Sequence, residues 1–359
     1  MSHGASSPNT GVRRRQHRLA AWGVEILRTY GVVFTLLVLI VLVAVKSPVF
    51  LHTNNLLNIT SQWAPAGIMA VGMTFVILTG GFDLSVGAIF SLSAVVAAGI
   101  GRSSSPGTAF LVAIGVGVAI GLLNGVLITL LEVNPFIATL GTSFAVSGVA
   151  LVTTKNAAYV VQNAGFGTLG KGQWHTIPYS GMILIAALLV GGVVLARTVY
   201  GQSIYAVGGN LEASRLSGIR TRLLTGSTYV LSGFCAGVAG CITASQLSSA
   251  QPNLSPDIVF DVITIVVVGG TSLAGGFGAM WRTAVGLGIL ATLQNGFNLL
   301  NVDPNYQNIV KGAIIVGALA LDSYTRRLVA KTVRHRSGTS ARLDAPVEPS
   351  AQQQGATPP

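Results

Sequence analysis

The composition of this chain of 359 residues is that of a protein whose main solvent is lipid. Charged residues make up 9% of it and hydrophobic residues 51%, with a mean hydropathy of +0.67, whereas soluble domains average about 25% charged residues. The formal net charge is +11, but most of the basic residues fall in two tails and one internal loop, which fits membrane topology better than nucleic-acid binding. A soluble fold and a nucleic-acid partner are thereby excluded, and an all-α integral membrane protein is predicted.

The chain divides into a basic tail, residues 1–29, an apolar middle, residues 30–322, and a polar tail, residues 323–359. Both tails are predicted to be disordered because they are polar and poor in apolar side chains. A full span needs about 20 residues, so several candidates are short, and the shortest is a candidate for a re-entrant or broken segment. The roughly ten candidate membrane spans are 30–45, 64–79, 84–100, 109–131, 135–153, 181–196, 223–246, 258–269, 283–300 and 309–321.

Glycine spacing predicts close contact between two of these spans. Gly117, Gly121 and Gly125 recur every four residues, so they lie along one face of the predicted helix 109–131. Small residues at this spacing let two membrane helices approach closely, because lipid provides no hydrophobic drive for their association.

The distribution of positive charge predicts the orientation of the spans. Ten spans place both tails on the same side of the membrane, and with that side in the cytoplasm sixteen of the 21 basic residues lie inside. The sequence therefore predicts a multi-pass protein with both termini and the loop 197–222 in the cytoplasm. The five basic residues left outside are Lys46, Arg102, Lys155, Lys171 and Lys311.

No motif in the sequence indicates a catalytic centre or a bound cofactor. The segment GFGTLGKG, residues 165–172, approximates a phosphate-binding loop, but Gly172 stands where Ser or Thr would bind Mg²⁺, so a flexible loop is expected. His175 has no second ligand at metal-binding spacing, so no metal site is expected. We therefore expect no enzyme activity and no cofactor bound by this chain, and if its function uses energy, another subunit must supply it.

The acidic residues near membrane depth lie at the ends of the apolar runs. Asp83 precedes the span 84–100, and Asp261 lies near the start of the span 258–269. We expect Asp83 to cap its helix, because the helix dipole favours a carboxylate at the amino-terminal end. A proton relay requires acids at mid-span, so their position weighs against a proton-driven carrier.

The polar residues at mid-span are neutral. Amides and hydroxyls of this kind join helices, and they also suit a path for a neutral, hydroxyl-rich solute because they form hydrogen bonds with hydroxyl groups. The sequence leaves both interpretations open. The candidates for such a path are Asn124, Thr139, Thr142, Gln294, Asn295 and Asn298.

One charged segment, residues 200–222, interrupts the apolar spans. Two glycines permit a sharp turn, Asn210 is a good N-cap, and residues 211–217 are predicted to form a helix of about 10 Å. Glu212 and Arg215 match the dipole of this helix, and Gly218 suits its end. A helix too short to cross a membrane fits a groove on a partner; an ordinary amphipathic surface loop is the alternative. The residues predicted to couple to the partner are Gly208, Gly209, Asn210, Glu212, Ala213, Arg215, Leu216, Gly218 and Ile219.

Four segments, in this order along the chain, resemble the signature of the permease subunits of ribose-type bacterial ABC sugar importers. They are LTGGFDLSVGAI (78–89), NPFIATLGT (134–142), YAVGGNLEASRLSGI (205–219) and DVITIVVVGGTSLAGGFG (261–278). The resemblance implies a type II ABC importer-like permease in the lipid bilayer of a bacterial inner membrane. It further implies a second permease copy, identical or paralogous, cytoplasmic ATPase subunits and an extracytoplasmic solute-binding protein.

The same resemblance implies a role for the segment 197–222. Its short helix is expected to be the coupling helix, which transmits ATP-driven closure of the ATPase pair to the spans that begin at Leu223. The implied solute is a monosaccharide or a related polyol. A permease for a nucleoside or a branched-chain amino acid is the nearer alternative, and an ion-coupled secondary carrier is the more distant one.

Overall fold

About four-fifths of the residues that the structure describes are helical. The computed structural model describes residues 30–254, 257–314, 316, 317 and 320. The tails expected to be disordered lie almost wholly outside these residues, so that expectation stays a prediction. The features below belong to one compact unit, Met1–Ile315, and the second unit, Val316–Pro359, includes only three of the described residues.

The helices follow one another with short connections. They are α1 Tyr30–Lys46, α2 Thr53–Leu78, α3 Val86–Gly101, α4 Pro106–Thr129, α5 Pro135–Thr154, α6 Thr168–Lys171, α7 Tyr179–Arg197, α8 Val199–Gly209, α9 Leu211–Leu216, α10 Thr221–Leu247, α11 Ile258–Val268, α12 Met280–Leu299 and α13 304–314. Two 3-10 turns are Pro48–Leu51 and Ala164–Gly167. Four two-residue strands are β1 Tyr159–Val160, β2 Gln173–Trp174, β3 Ile177–Pro178 and β4 Ser249–Ala250; β1 pairs with β4 and β2 with β3, both antiparallel.

The ten predicted spans all coincide with helices, the last as far as residue 314. By length and composition, five of the described helices (α2, α4, α5, α7 and α10) are long and apolar enough to cross a membrane, and α1, α3 and α11 are shorter apolar helices. The helix α11 has 11 residues, as expected for the shortest candidate. The prediction of an all-α membrane protein is confirmed.

Local capping chemistry sets several helix boundaries. Ser105 and Asn134 accept backbone N–H groups at the starts of α4 and α5, and Pro106 and Pro135 occupy the first helical positions, where no N–H donor is needed. At the end of α2, Gly80 has a left-handed φ of +82°. The N–H groups of Gly80 and Gly81 donate to carbonyls in the last turn of α2. This arrangement is typical of a helix that ends at a glycine.

The centre of the fold is α2, which packs against α7, α10, α11 and α12. Sixteen of its 26 residues are buried. The helix α10 lies along α4, and a side chain at Gly117 or Gly121 would overlap the α10 carbonyl oxygens of Gly233 or Tyr229. The close approach predicted from the glycine spacing of α4 is therefore confirmed.

Segments distant in sequence meet at the two ends of α2. At its start, which we call the Thr53 end, Ser61 contacts Ser180 of α7 and Gln246 of α10. At its finish, the Leu78 end, the carbonyl of Leu78 accepts the N–H of Gly276 from the loop between α11 and α12. The segments α8 and α9 also lie at the Leu78 end.

The glycine-rich segment 165–172 differs from the loop expected. It forms a 3-10 turn followed by α6. The N–H of Gly170 donates to Ser245 Oγ (2.8 Å), and the same hydroxyl donates to the carbonyl of Phe166 (2.6 Å), so the segment is fixed to the end of α10. This tertiary anchoring, with Phe166 fully buried, replaces the predicted loop.

Candidate coupling site

The helix α9 is capped at both ends by its own sequence. Asn210 Oδ1 accepts the N–H of Ala213 (2.9 Å), which satisfies a donor of the first turn. At the other end Gly218 has a φ of +84°, and the N–H of Ile219 donates to the carbonyl of Ser214 (3.1 Å). This is the Schellman pattern that stops a helix at a glycine. The predicted cap and stop are confirmed, and the helix ends one residue earlier than expected.

The two glycines before α9 do not form the predicted turn. Gly208 and Gly209 are the last residues of α8, and the chain changes direction at Asn210, whose φ of −159° and ψ of 102° are extended. The reason for glycine at 208 is space: a Cβ there would overlap the carbonyl oxygen of Leu78. A contact between α8 and α2 therefore explains this glycine, whereas the prediction had invoked backbone flexibility.

Most side chains of α9 point away from the rest of the described chain. Leu211 is 57% exposed and Leu216 is 80% exposed, so two apolar side chains of α9 are uncovered. Glu212 lies in the first turn and Arg215 in the last, as the dipole argument requires. Ser214, in contrast, is buried against the chain itself.

A cleft of about 810 Å³ opens beside α9. It is lined by the ends of α2 and α4, by the start of α10 and by α9 itself. Across it, the guanidinium of Arg222 forms an ion pair with the carboxylate of Glu132, and both side chains are largely exposed. The cleft gives α9 an open flank at the Leu78 end.

A buried polar cluster organises the connection between α2 and α3. The Asp83 carboxylate accepts from the N–H and the hydroxyl of Ser85 (3.0 and 2.6 Å) and from the hydroxyl of Ser232 on α10 (2.7 Å). Asp83 is fully buried, and desolvation raises the pKa of its carboxyl, while these hydrogen bonds act in the opposite direction. The N-cap of α3 is Ser85, so Asp83 is not the helix cap that we expected. Its carboxylate instead holds Ser85 and joins the start of α3 to α10, which the sequence did not indicate.

Two of the six path candidates belong to the same cluster. Asn124 Nδ2 donates to Ser85 Oγ (2.8 Å), and Thr139 Oγ1 accepts the N–H of Leu84 (3.1 Å). Thr142 is buried. Within the described residues, its hydroxyl donates one hydrogen bond, to the carbonyl of Ala138 in the same helix. The structure thus brings Asn124 and Thr139 together at the start of α3 and leaves Thr142 apart from them.

The other three path candidates lie on α12. Asn295 and Asn55 of α2 exchange amide hydrogen bonds (3.0 Å each), and Asn298 Oδ1 accepts from Gln307 (3.2 Å). These contacts join helices, which was one of the two interpretations of the mid-span amides. A function in transport stays a prediction for both.

Gln294 and Asp261 line the same very small cavity. The ammonium of Lys311 on α13 pairs with Asp261 of α11 at 3.2 Å, and Gln294 lines the same cavity, whose volume is about 10 Å³. This is about the space that one water molecule requires. Asp261 therefore has an ionic partner on a neighbouring helix, a pairing that the spacing of the sequence did not reveal because the two residues are 50 positions apart.

The fold and the site together define a multi-pass helical membrane protein that presents a short, capped and exposed helix between two of its long apolar helices. The chain belongs to the family described as "Branched-chain amino acid transport system / permease component", whose model matches residues 55–319. The resemblance to ABC permeases drawn from the sequence motifs is thereby confirmed.

The curated relatives cover most of the chain. It is 40% identical over 300 residues to the ribose import permease protein RbsC of Bacillus subtilis, which covers 83% of this chain and 93% of that protein. It is 41% identical over 317 residues to RbsC of Escherichia coli K12 (87% and 98%) and 34% identical over 309 residues to the L-arabinose transport system permease protein AraH of the same strain (83% and 91%). No solved structure matches the chain at a significant level.

Proposed function

We propose that this chain is the transmembrane permease subunit of an ABC importer that moves a monosaccharide or a related polyol into the cytoplasm. The observation that carries the proposal is the exposed, doubly capped helix α9, which offers Leu211 and Leu216 to a partner. The printed names of the relatives, ribose and arabinose import permeases, supply the class of solute.

The proposed complex contains partners that hold the functions this chain lacks. ATPase subunits bind ATP and Mg²⁺ and dock on α9, and an extracytoplasmic binding protein delivers the solute. A second permease copy, identical or paralogous, completes the transmembrane pathway. This chain itself is proposed to bind no cofactor and to catalyse no reaction.

We further propose that the Leu78 end faces the cytoplasm, with both termini on that side. Arg215, Arg220 and Arg222 border the cleft at this end. Arg102 lies over the ring of Tyr159 in β1, and Lys171 donates to Ser248, so these basic residues lie at the opposite end, with β1 and β4. Their smaller number fits the outer face, because cytoplasmic segments carry the excess of Lys and Arg.

The test is reconstitution of the permease with its ATPase and binding protein in liposomes. We expect ATP-dependent accumulation of labelled ribose, arabinose or a polyol, and no accumulation of leucine. Uptake of leucine and of none of the sugars would favour the branched-chain amino acid function that the family description names. Uptake that an ion gradient drives without ATP would contradict the ABC proposal altogether.

A further inference from the structure

Three separate segments meet through glycines at the Leu78 end. We name this contact the glycine joint and define it by Gly80 after α2, Gly208 in α8, and Gly275 and Gly276 in the loop between α11 and α12. The N–H of Gly276 donates to the carbonyl of Leu78, the last residue of α2, at 2.9 Å. A main-chain hydrogen bond therefore fastens the α11–α12 loop to the end of α2.

The joint is too tight to hold side chains. A Cβ at Gly208 would overlap the carbonyl oxygen of Leu78, and one at Gly276 would lie 2.8 Å from Gly209 Cα. A Cβ at Gly275 would lie 2.8 Å from the N of Gly80 and 3.1 Å from the carbonyl oxygen of Gly208. The three segments thus touch one another through backbone atoms. A displacement of α8 therefore presses directly on α2 and on the α11–α12 loop, because no flexible side chains lie between them.

A side-chain hydrogen bond also joins α8 to the α11–α12 loop. The hydroxyl of Tyr205 on α8 donates to the carbonyl of Gly278, just before α12, at 2.9 Å. A second tyrosine of α8 makes the corresponding bond in another direction: the hydroxyl of Tyr200 pairs with Ser227 Oγ on α10 at 2.7 Å. The helix α8 thus has one tyrosine link to the α11–α12 loop and one to α10.

The elements on the far side of the joint lie in the core. The helix α2 is the buried centre of the fold, and α11 packs on α12 so closely that a Cβ at Gly286 would overlap the carbonyl oxygen of Ile265. Rigid, densely packed elements transmit displacement. In contrast, the four residues 217–220 alone connect α9 to α10 along the chain.

We infer that the glycine joint transmits the motion of α8 and α9 directly to α2 and to the α11–α12 pair, beside the covalent connection of α9 to α10. The inference rests on the proposed function, because it assumes that a partner moves α9. The inference makes Gly208 and Tyr205 positioning residues for coupling, although both lie on α8 and not on the exposed helix α9.

The first test replaces Gly208 by Ala in the complete reconstituted importer. Alanine is the better helix former, so the added methyl group acts through its overlap with Leu78 and not through helix propensity. We expect the solute moved per ATP hydrolysed to fall about ten-fold, within the range by which single substitutions alter coupling, while the ATPase co-purifies as before. The control Gly115→Ala, whose Cβ direction is open, is expected to keep the wild-type ratio.

The second test uses the two tyrosines and holds even if the Gly208 variant fails to assemble. Tyr205→Phe is expected to lower the transported solute per ATP about three-fold, whereas Tyr200→Phe keeps it. An unchanged ratio in Tyr205→Phe, or a loss confined to Tyr200→Phe, would overturn the inference and leave the connection to α10 as the route. A wild-type complex without ATP-driven uptake would instead contradict the proposed function, so the two failures are distinguishable.

Discussion

At the scale of single residues, the buried carboxylate of Asp83, near the Leu78 end, requires hydrogen-bond partners in place of water. Its oxygens accept three hydrogen bonds, one of them from Ser232 on α10. Burying an ionisable group costs free energy unless such partners replace water. Asp83 thereby ties α3 to α10, beside the segment where α9 is expected to act.

Removal of one donor to this carboxylate should destabilise the fold. We predict that Ser232→Ala lowers the free energy of unfolding by about 1–3 kcal/mol, because it leaves a buried acceptor without its partner. The matched control is Ser93→Ala: its buried hydroxyl has no hydrogen-bond partner within the part of the chain that the structure describes. Thermal unfolding of the purified permease in detergent measures both. Equal stability of the two variants would show that the Ser232 bond contributes nothing.

At the scale of elements, α9 illustrates how a helix of six residues is maintained without a core of its own. Isolated helices of this length are unstable in water because nucleation is unfavourable. Asn210 at one end and Gly218 at the other satisfy backbone groups that the short ladder leaves open. The caps therefore determine whether the proposed docking surface has a defined shape.

Loss of either cap should weaken docking of the ATPase. We predict that Asn210→Ala costs about 1 kcal/mol of local stability, and that Gly218→Ala costs a similar amount because alanine is strained at a φ of +84°. Each variant should lower ATPase co-purification and uptake several-fold while the permease still inserts into the membrane. Ser203→Ala, on the exposed side of α8, is the control. Normal ATPase binding by both cap variants would contradict the coupling assignment of α9.

Substitutions in the amide pair between α2 and α12 can distinguish whether Asn295 only joins helices or also lies on the solute path. If the pair only joins helices, Asn295→Leu leaves the Asn55 amide short of a partner, and the double variant Asn55→Leu/Asn295→Leu is expected to be no less stable than Asn55→Leu alone, which also loses the bond from Asn55 to the carbonyl of Phe50. We predict an effect of about 1 kcal/mol for the single change, measured by thermal unfolding. Uptake distinguishes the functions: uptake lost in Asn295→Leu but kept in Asn55→Leu would place Asn295 on the solute path.

At the scale of the whole molecule, the connecting segments define two faces. The Leu78 end holds α8, α9 and the α11–α12 loop, and the other end holds α6 and the short strands. The two free cysteines, Cys235 and Cys241, are buried within α10. These two native cysteines are therefore expected to react little with a thiol reagent in labelling experiments on introduced cysteines.

Cysteine labelling tests the orientation of these faces. We predict that cysteine at Ser104 or Gln173 reacts with a membrane-impermeant thiol reagent added to intact cells, and that cysteine at Ser217 does not. All three positions are exposed in the chain, so burial does not account for the difference. Permeabilised cells provide the control, in which Ser217→Cys must become reactive. Labelling of Ser217→Cys in intact cells would reverse the proposed topology.

Features that depend on composition and on contacts a few residues apart could be predicted from the sequence alone. Apolar length located the helices, and the cap of Asn210 and the stop at Gly218 followed from hydrogen bonds within a single turn. Which distant groups meet is visible only in the folded chain. It placed Asn295 opposite Asn55, 240 positions away, and Gly208 against Leu78. Such contacts depend on how helices pack, and an amide or a glycine has the same local signature whether it binds solute, turns the chain or touches a neighbouring backbone.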